Sequence, residues 1–315
     1  MIKLPLRFAP LGVAIGIALA GCAGTGAGTS LPQPPGLQGI KPDGSTGTLI
    51  YVSEGGTNTV AMLTTAYKPA GKLGGLHDPA GLCADSSGDI WVVQSKQAKV
   101  LEYAHDNHKS IASVNDANAT LPYGCSVDPM TGNLAVTSVN GAKGGGGAVL
   151  VYAGAKGAAK VYTSSTLAVA FFCAYDANGN LFVDGLDSNY TFVLQELPAG
   201  ATALQSVAIK GTIGYPGGIA WDGKYLVIGD NAYAGGRSTA LDRLTVSGTT
   251  ANIASTITLN GTCEVQQFAF AAGGTKVEAP DGCINKLFVF AYPAGGKATK
   301  TVNNMQFPTA VAVSP

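Results

Sequence analysis

Residues 79–104, PAGLCADSSGDIWVVQSKQAKVLEYA, decide the fold. An apolar run ends in Asp85, the turn Ser86-Ser87-Gly88-Asp89 follows, and a second apolar run covers 90–93. Turn residues between two strand-length apolar runs predict a hairpin. A third strand, 100–104, completes the stretch. The same order of features then returns along the chain. It reads CSVD, PMTGN and LAV over 125–136, CAYD, ANGN and LFV over 173–183, and IAWD, GK and YLVI over 219–228. A degenerate copy over 268–277 has FAFA, a Gly273-Gly274 turn and Lys276-Val277.

The anchor positions 85, 128, 176, 222 and 271 stand 43, 48, 46 and 49 residues apart. A period in the forties with several short strands per period predicts a β-propeller. Third strands follow at 149–153, 192–198 and 287–293, and fourth strands at 109–114, 160–163, 205–209, 255–259 and 297–302. At the N-terminal end, Leu49-Ile50-Tyr51-Val52-Ser53 aligns with the second strand of the unit, so the first unit lacks its inner strand. At the other end, 307–314 is an inner strand with nothing after it. The expected fold is therefore all-β, a six-bladed β-propeller of four-stranded blades, closed by the C-terminal strand joining the N-terminal blade. Such closure removes open sheet edges.

The first residues read as an address. Lys3 and Arg7 precede an apolar run, 8–20, which ends in Leu19-Ala20-Gly21-Cys22. A short apolar region ending in small residues predicts a secretory signal. Leu-Ala-Gly-Cys resembles the bacterial lipoprotein box, which implies lipidation of Cys22, an anchor in the membrane and a place in the bacterial cell envelope, periplasm-facing or at the cell surface. Residues 22–47 are rich in Gly, Ser, Thr and Pro and read as a flexible tether. The expected division is thus 1–21 signal peptide, 22–47 lipidated cysteine and tether, and 48–315 propeller.

Nineteen basic and nineteen acidic residues give a net charge of zero, and charged residues are 12% of the chain. With no basic stripe, a nucleic-acid partner is not expected. A monomer is expected, with a protein, peptide or glycan as ligand.

In a propeller, the fourth-to-first and second-to-third connections share one face, at the mouth of the central channel, and loops on a rigid scaffold carry function. The connections entering the inner strands hold His77, Tyr123, Phe171, Phe172, Tyr215, Gln267 and Phe307. Tyr233 and Arg237 stand in the long connection that follows Asp230. Aromatic rings around a concave mouth suit stacking on a sugar or gripping a peptide, and they equally suit plugging the channel. The second-to-third connections hold the acids Glu54, Asp184 and Asp230, whose oxygens, if convergent, would suit a hard cation such as calcium. Acids at strand ends also serve as turn caps. The repeating Asp85, Asp128, Asp176 and Asp222 precede hairpin turns on the opposite face and read as caps.

With Cys22 assigned to lipid, five cysteines remain. Cys263 precedes an inner strand and Cys283 follows the second strand of the same blade, which places both on one face and predicts a disulfide. Cys125 and Cys173 occupy equivalent positions, three before the anchor Asp, in neighbouring blades. They are candidates for a second bridge, conditional on their separation. Cys83 stands two before its Asp, faces the other way, and is expected to be free and buried.

The pattern Pro-x-Gly, apolar run, Asp-x-x-Gly-[Asn/Asp], [Ile/Leu]-x-Val resembles the NHL-repeat propellers and the gluconolactonase-like six-bladed propellers. The run Ile50-Tyr51-Val52-Ser53 followed by Asn58-Thr59-Val60 is similar to bacterial lipoproteins of this group. The lactonase likeness implies a divalent metal held by a Glu near the first blade and by Asn and Asp at the channel, where Glu54, Asp230 and Asn231 stand. Two functions follow as expectations: a lipid-anchored, extracytoplasmic binding or scaffold module acting through its loop face, and a divalent-metal-dependent lactonase-like hydrolase.

Overall fold

A computed structural model describes residues 47–315, apart from Asp116, residues 142–144 and Arg237. The expected signal peptide, the lipidation at Cys22, the tether up to residue 46 and the Arg237 side chain lie outside the described residues. The described chain is built from strands, with two short 3-10 turns at Ala153–Ala155 and Tyr233–Gly235.

In chain order the strands are β1 (Leu49–Glu54), β2 (Thr59–Thr64), β3 (Pro69–Leu73), β4 (Pro79–Ala84), β5 (Ile90–Gln94), β6 (Lys99–Tyr103) and β7 (Ser110–Asn115). Next come β8 (Pro122–Val127), β9 (Leu134–Ser138), β10 (Ala148–Tyr152), β11 (Lys160–Thr163), β12 (Val169–Tyr175), β13 (Leu181–Leu186), β14 (Phe192–Leu197) and β15 (Gln205–Lys210). The rest are β16 (Pro216–Trp221), β17 (Leu226–Asp230), β18 (Thr239–Ser247), β19 (Thr250–Asn260), β20 (Ala269–Ala271), β21 (Lys276–Pro280), β22 (Lys286–Ala291), β23 (Gly296–Lys297), β24 (Lys300–Asn303) and β25 (Pro308–Ser314).

Four sheets have four strands each: β25-β1-β2-β3, β4-β5-β6-β7, β8-β9-β10-β11 and β20-β21-β22-β24. A fifth has nine strands, because β12-β13-β14-β15 and β16-β17-β18-β19 are joined edge to edge by a parallel pairing of Ala208–Lys210 with Thr250–Asn252, and β23 pairs with the end of β19. The expectation of six separate sheets is therefore met by five. Strand β19 runs past its expected four-strand length, and its start is what reaches β15.

The closure predicted from the chain ends is present. Strand β25 pairs antiparallel with β1, from Leu49 opposite Ser314 to Glu54 opposite Pro308.

The inner strands β20, β25, β4, β8, β12 and β16 stand side by side in that order, and the segment leading into β20 closes the ring on β16, Gly218 N donating to Gln266 O. The ring is tied through Thr309 to Pro79 and Ala80, Ser95 to Pro122, Thr137 to Phe171, Gly218 to Gln266, and Gln267 to Thr309 and Val311. This is a β-propeller arrangement.

Burial on both sides explains the strand sequences. In β1, Leu49 and Tyr51 pack with Leu82 and Ile90, whereas Ile50 and Val52 pack with Val277 and Phe290. Side chains alternate across a sheet. Here each side meets a neighbouring sheet, so the strand is apolar throughout rather than every second residue.

Three of the inner strands, β4, β8 and β16, open with Pro-x-Gly. A Cβ on Gly81 would stand 2.3 Å from Tyr123 O, one on Gly124 2.8 Å from Phe171 O, and one on Gly218 2.3 Å from Gln266 O. Glycine is needed because adjacent inner strands approach backbone to backbone around the channel.

The disulfides correct one expected pairing. Cys263 bonds Cys283 as predicted, but Cys125 bonds Cys83, and Cys173 is the buried free thiol. The cause is strand phase. Cys125 and Cys173 share a phase, so both side chains point the same way round the ring, Cys125 toward Trp91 and Cys173 toward Ala135. Cys83 is one residue out of phase and so faces Cys125, with the Cα atoms 5.8 Å apart.

Candidate functional site

The mouth is built where the inner strands begin. Four of them start with a proline, at Pro79, Pro122, Pro216 and Pro308, each paired with the end of the second strand of its sheet: Gln94, Ser138, Asp230 and Glu54. Those side chains accept hydrogen bonds from the backbone just ahead of the proline. His77 N donates to Gln94 Oε1 at 2.9 Å, Gln306 N to Glu54 Oε1 at 2.8 Å, and Tyr215 N to Asp230 Oδ1 at 3.2 Å. Leu121 N donates to Ser138 Oγ at 3.5 Å. In the β20–β21 unit, Asp281 takes the same part, accepting from Cys263 N and Glu264 N.

Two of the three acids expected to hold a cation, Glu54 and Asp230, are therefore clasps of the entering loops, and the third, Asp184, holds a backbone N–H inside β12. Glu54 also accepts from Thr59 Oγ1, and burial raises its carboxyl above the usual range while the Gln306 N–H lowers it. Asp230 Oδ1 is shared with Ala232 N. Asp184 is fully buried inside β13, accepts from Phe172 N at 2.9 Å, and is pushed well above the carboxylate range by burial. Among the described residues, the groups of three or more donor side chains within 4.8 Å of one another are Cys263, Asp281 and Cys283, and Asp85, Asp89 and Glu102. Neither group contains Glu54, Asp184 or Asp230, so the structure does not bring these three together. The cysteine-containing group is a disulfide with its hydrogen-bonding acid.

The mouth aromatics do come together. Tyr123 lies 6.0 Å from Phe171 and 5.4 Å from Phe172, ring centre to ring centre, and Phe171 lies 6.1 Å from Tyr215. Phe172 is buried, Tyr123 and Phe171 are half-buried, and Tyr215 is 38% exposed. The Tyr123 hydroxyl donates to Gln266 Oε1 at 2.6 Å. Gln267 goes deeper. Its amide Nε2 donates to Leu82 O at 2.7 Å and Cys125 O at 3.0 Å, which ties three inner strands together across the channel.

His77 is exposed at the rim, and Tyr233 is half-buried in its 3-10 turn. Phe307 is 39% exposed and holds φ at 56°, a conformation that aromatic side chains disfavour. Tyr190 and Ile284, exposed at 54% and 37%, lie on the same face and were not singled out by the sequence reading. Their signal was present, as large apolar residues in second-to-third connections.

On the opposite face the anchor acids cap their hairpins as predicted. Asp85 Oδ1 accepts from Ser87 and Asp89, Asp128 Oδ1 from Met130, Asp176 Oδ1 from Asn178 and Asn180, and Asp222 Oδ1 from Lys224 and Tyr225.

No family model and no curated protein matches the chain. Solved structures do. A chain of a nidogen/laminin complex covers 85% of this chain and 99% of its own length, at 13% identity and a TM-score of 0.66. A TolB assigned to Agrobacterium tumefaciens covers 86% and 99%, at 11% identity and a TM-score of 0.58. A streptogramin B lyase covers 76% and 74%, at 14% identity and a TM-score of 0.54. At such identities the likeness shows the fold alone, a β-propeller.

Proposed function

We propose that the chain is a six-bladed, extracytoplasmic propeller that works as a binding module through its loop face. The nine-stranded sheet counts as two blades, since β12–β15 and β16–β19 each repeat the four-strand order of the other sheets. The observation that carries the reading is where large apolar side chains are exposed. Of six such residues among the described ones, Tyr190, Tyr215, Ile284 and Phe307 lie on the loop face. They stand in four different connections, and Tyr215 lies against the Tyr123–Phe171–Phe172 cluster through Phe171. Exposed aromatic residues on a rigid frame are the usual anchors of protein and peptide recognition, and they stack equally on glycan rings.

Two disulfides fit an oxidising compartment. The lipoprotein-like Cys22 and the tether after it would hold the module to the bacterial envelope, with the loop face free to meet a protein, peptide or glycan. The acids of that face are occupied by backbone N–H groups, which favours binding over metal-dependent hydrolysis.

A photoreactive phenylalanine analogue placed at Tyr190, Phe307 and Met130 tests the reading in the intact envelope. Met130 is 70% exposed on the opposite face and serves as the control. Discrete adducts at the first two sites and none at Met130 are expected. Equal labelling at all three, or none at Tyr190 and Phe307, counts against a loop-face binding site.

A further inference from the structure

The face opposite the loop face carries a cavity of about 400 Å³ between the β8–β11 and β12–β15 blades. That volume lies within the range of about 300–1,000 Å³ in which small molecules bind. The β8–β9, β12–β13 and β14–β15 turns form its rim, and Val151, Leu181 and Leu197 give it an apolar wall. Tyr162 and Tyr175 complete the wall from β11 and β12. The two tyrosines are only 9% and 8% exposed, and neither hydroxyl has a hydrogen-bond partner among the described residues. The unpartnered polar atoms that lack accessible surface belong to other residues, so both hydroxyls keep surface of their own on the cavity. By contrast, the hydroxyls of Tyr51, Tyr67, Tyr123 and Tyr292 are all engaged by protein groups.

A donor this deeply set, with no acceptor from the protein, carries a free-energy cost that a ligand oxygen can relieve. Burial, with Cys173, Asp128 and Tyr162 adding to it, pushes the ionisation of the Tyr175 hydroxyl up, so that hydroxyl stays a donor. Charge is disfavoured from both sides. Asp128, 5% exposed in the wall, accepts from Met130 N on Oδ1 and from the Thr131 hydroxyl on Oδ2, and its charge disfavours anions. Lys160 Nζ stands 4.8 Å over the Tyr162 ring, and its charge disfavours a second cation. An uncharged ligand with an apolar body and an accepting oxygen fits these walls.

We propose that this cleft between two blades is a second binding site, distinct from the loop face, for a small uncharged carbonyl compound of the ketone, ester or amide class, whose oxygen accepts from the Tyr162 and Tyr175 hydroxyls.

Fluorine NMR of the full chain with para-fluoroacetophenone tests the assignment. The comparison probes are para-fluoroethylbenzene (nearly the same shape, without the acceptor), para-fluorobenzoate (an anion) and para-fluorobenzylamine (a cation). Saturable binding of the ketone near about 1 mM is expected, the affinity open to so small a molecule. The ethyl compound should bind about fivefold more weakly, the difference one hydrogen bond makes. Tyr162→Phe and Tyr175→Phe remove hydroxyls that the fold does not use, so each should weaken the ketone about fivefold and leave the melting temperature unchanged. Asn178→Trp and Ala199→Trp, at exposed positions on different turns of the rim, fill the cleft, and each should abolish binding while its melting curve shows that it folds. Any one of four results overturns the proposal: no saturable ketone binding, any comparison probe binding as tightly as the ketone, parental affinity in both Tyr→Phe variants, or unchanged binding in both folded Trp variants.

Discussion

Glu278 is fully buried in β21, with Oε1 receiving the Tyr67 hydroxyl at 2.9 Å and Oε2 without a partner among the described residues. Burial, only partly offset by Tyr67 and Lys276, pushes its carboxyl from 4.5 up to about 8. A carboxyl that titrates higher in the folded chain than in the unfolded one holds its proton longer when folded. Its contribution to stability is therefore greatest below about pH 4.5, falls as pH rises toward 8, and is flat beyond. Glu278→Gln keeps an acceptor for Tyr67 and cannot ionise. The variant should match the parent near pH 4.5 and melt higher at pH 9, by an amount on the order of a few kcal/mol. Thermal melts across that range check it, and parallel pH profiles for the two proteins would refute the argument. Asp85, Asp128, Asp176 and Asp222 read as caps in the sequence because each stands at a fixed place before a turn, and their partners lie within four residues. The sequence reading passed over Glu278 because the partner, Tyr67, is 211 residues away. It read Glu54, Asp184 and Asp230 as a possible cation set for a related reason: strand ends show where acids stand, not which backbone N–H faces them.

Strand phase and strand spacing govern the next scale. The Pro-x-Gly openings were legible as a repeat motif, but their physical reason appears only when two inner strands are seen side by side. Gly218→Ala would set a Cβ 2.3 Å from Gln266 O, and Gly81→Ala would do the same against Tyr123 O. Backbone cannot yield there as a side-chain tip can, so each change should cost about 3 kcal/mol or more. Chemical denaturation measures it, with Gly74→Ala, whose Cβ meets nothing within 4 Å and whose backbone, like theirs, is not left-handed, as the comparison. Phase also decides the cysteines. A one-residue offset visible in the sequence suggests that Cys83 stands alone, yet neighbouring sheets face each other, so opposite phases meet and equal phases do not. Peptide mapping without reduction should recover Cys83 joined to Cys125, with Cys173 alkylated only after unfolding. Replacing both bridged residues by serine should cost about 4 kcal/mol, the chain-entropy value for a separation of 42 residues.

At the scale of the whole molecule, closure is the feature on which the other parts depend. The repeat period gave the ring, and the mismatch between the two chain ends gave its closure, because a second strand without a first and a first without a second have one common solution. What the repeat did not show is that the ring closes twice over. Strand β25 completes the sheet of β1, and it also fixes Gln267, whose N–H donates to Thr309 O while Val311 N donates to Gln267 O. Gln267 in turn spans to Leu82 and Cys125. Removing residues 308–315 would thus expose the edge of β1, strip one wall from the channel and loosen the amide that links three inner strands. An uncovered edge strand with apolar faces promotes association between chains. The truncated protein should lose its cooperative thermal transition and sediment as aggregates, whereas the parent should give one sharp transition. Adding a synthetic peptide of residues 305–315 during refolding should restore both the transition and the slower-sedimenting species, since it supplies the missing inner strand. If the truncated protein unfolds cooperatively within a few degrees of the parent, the ring does not need its closing strand, and the view of β25 as the element that unites edge, channel and Gln267 fails.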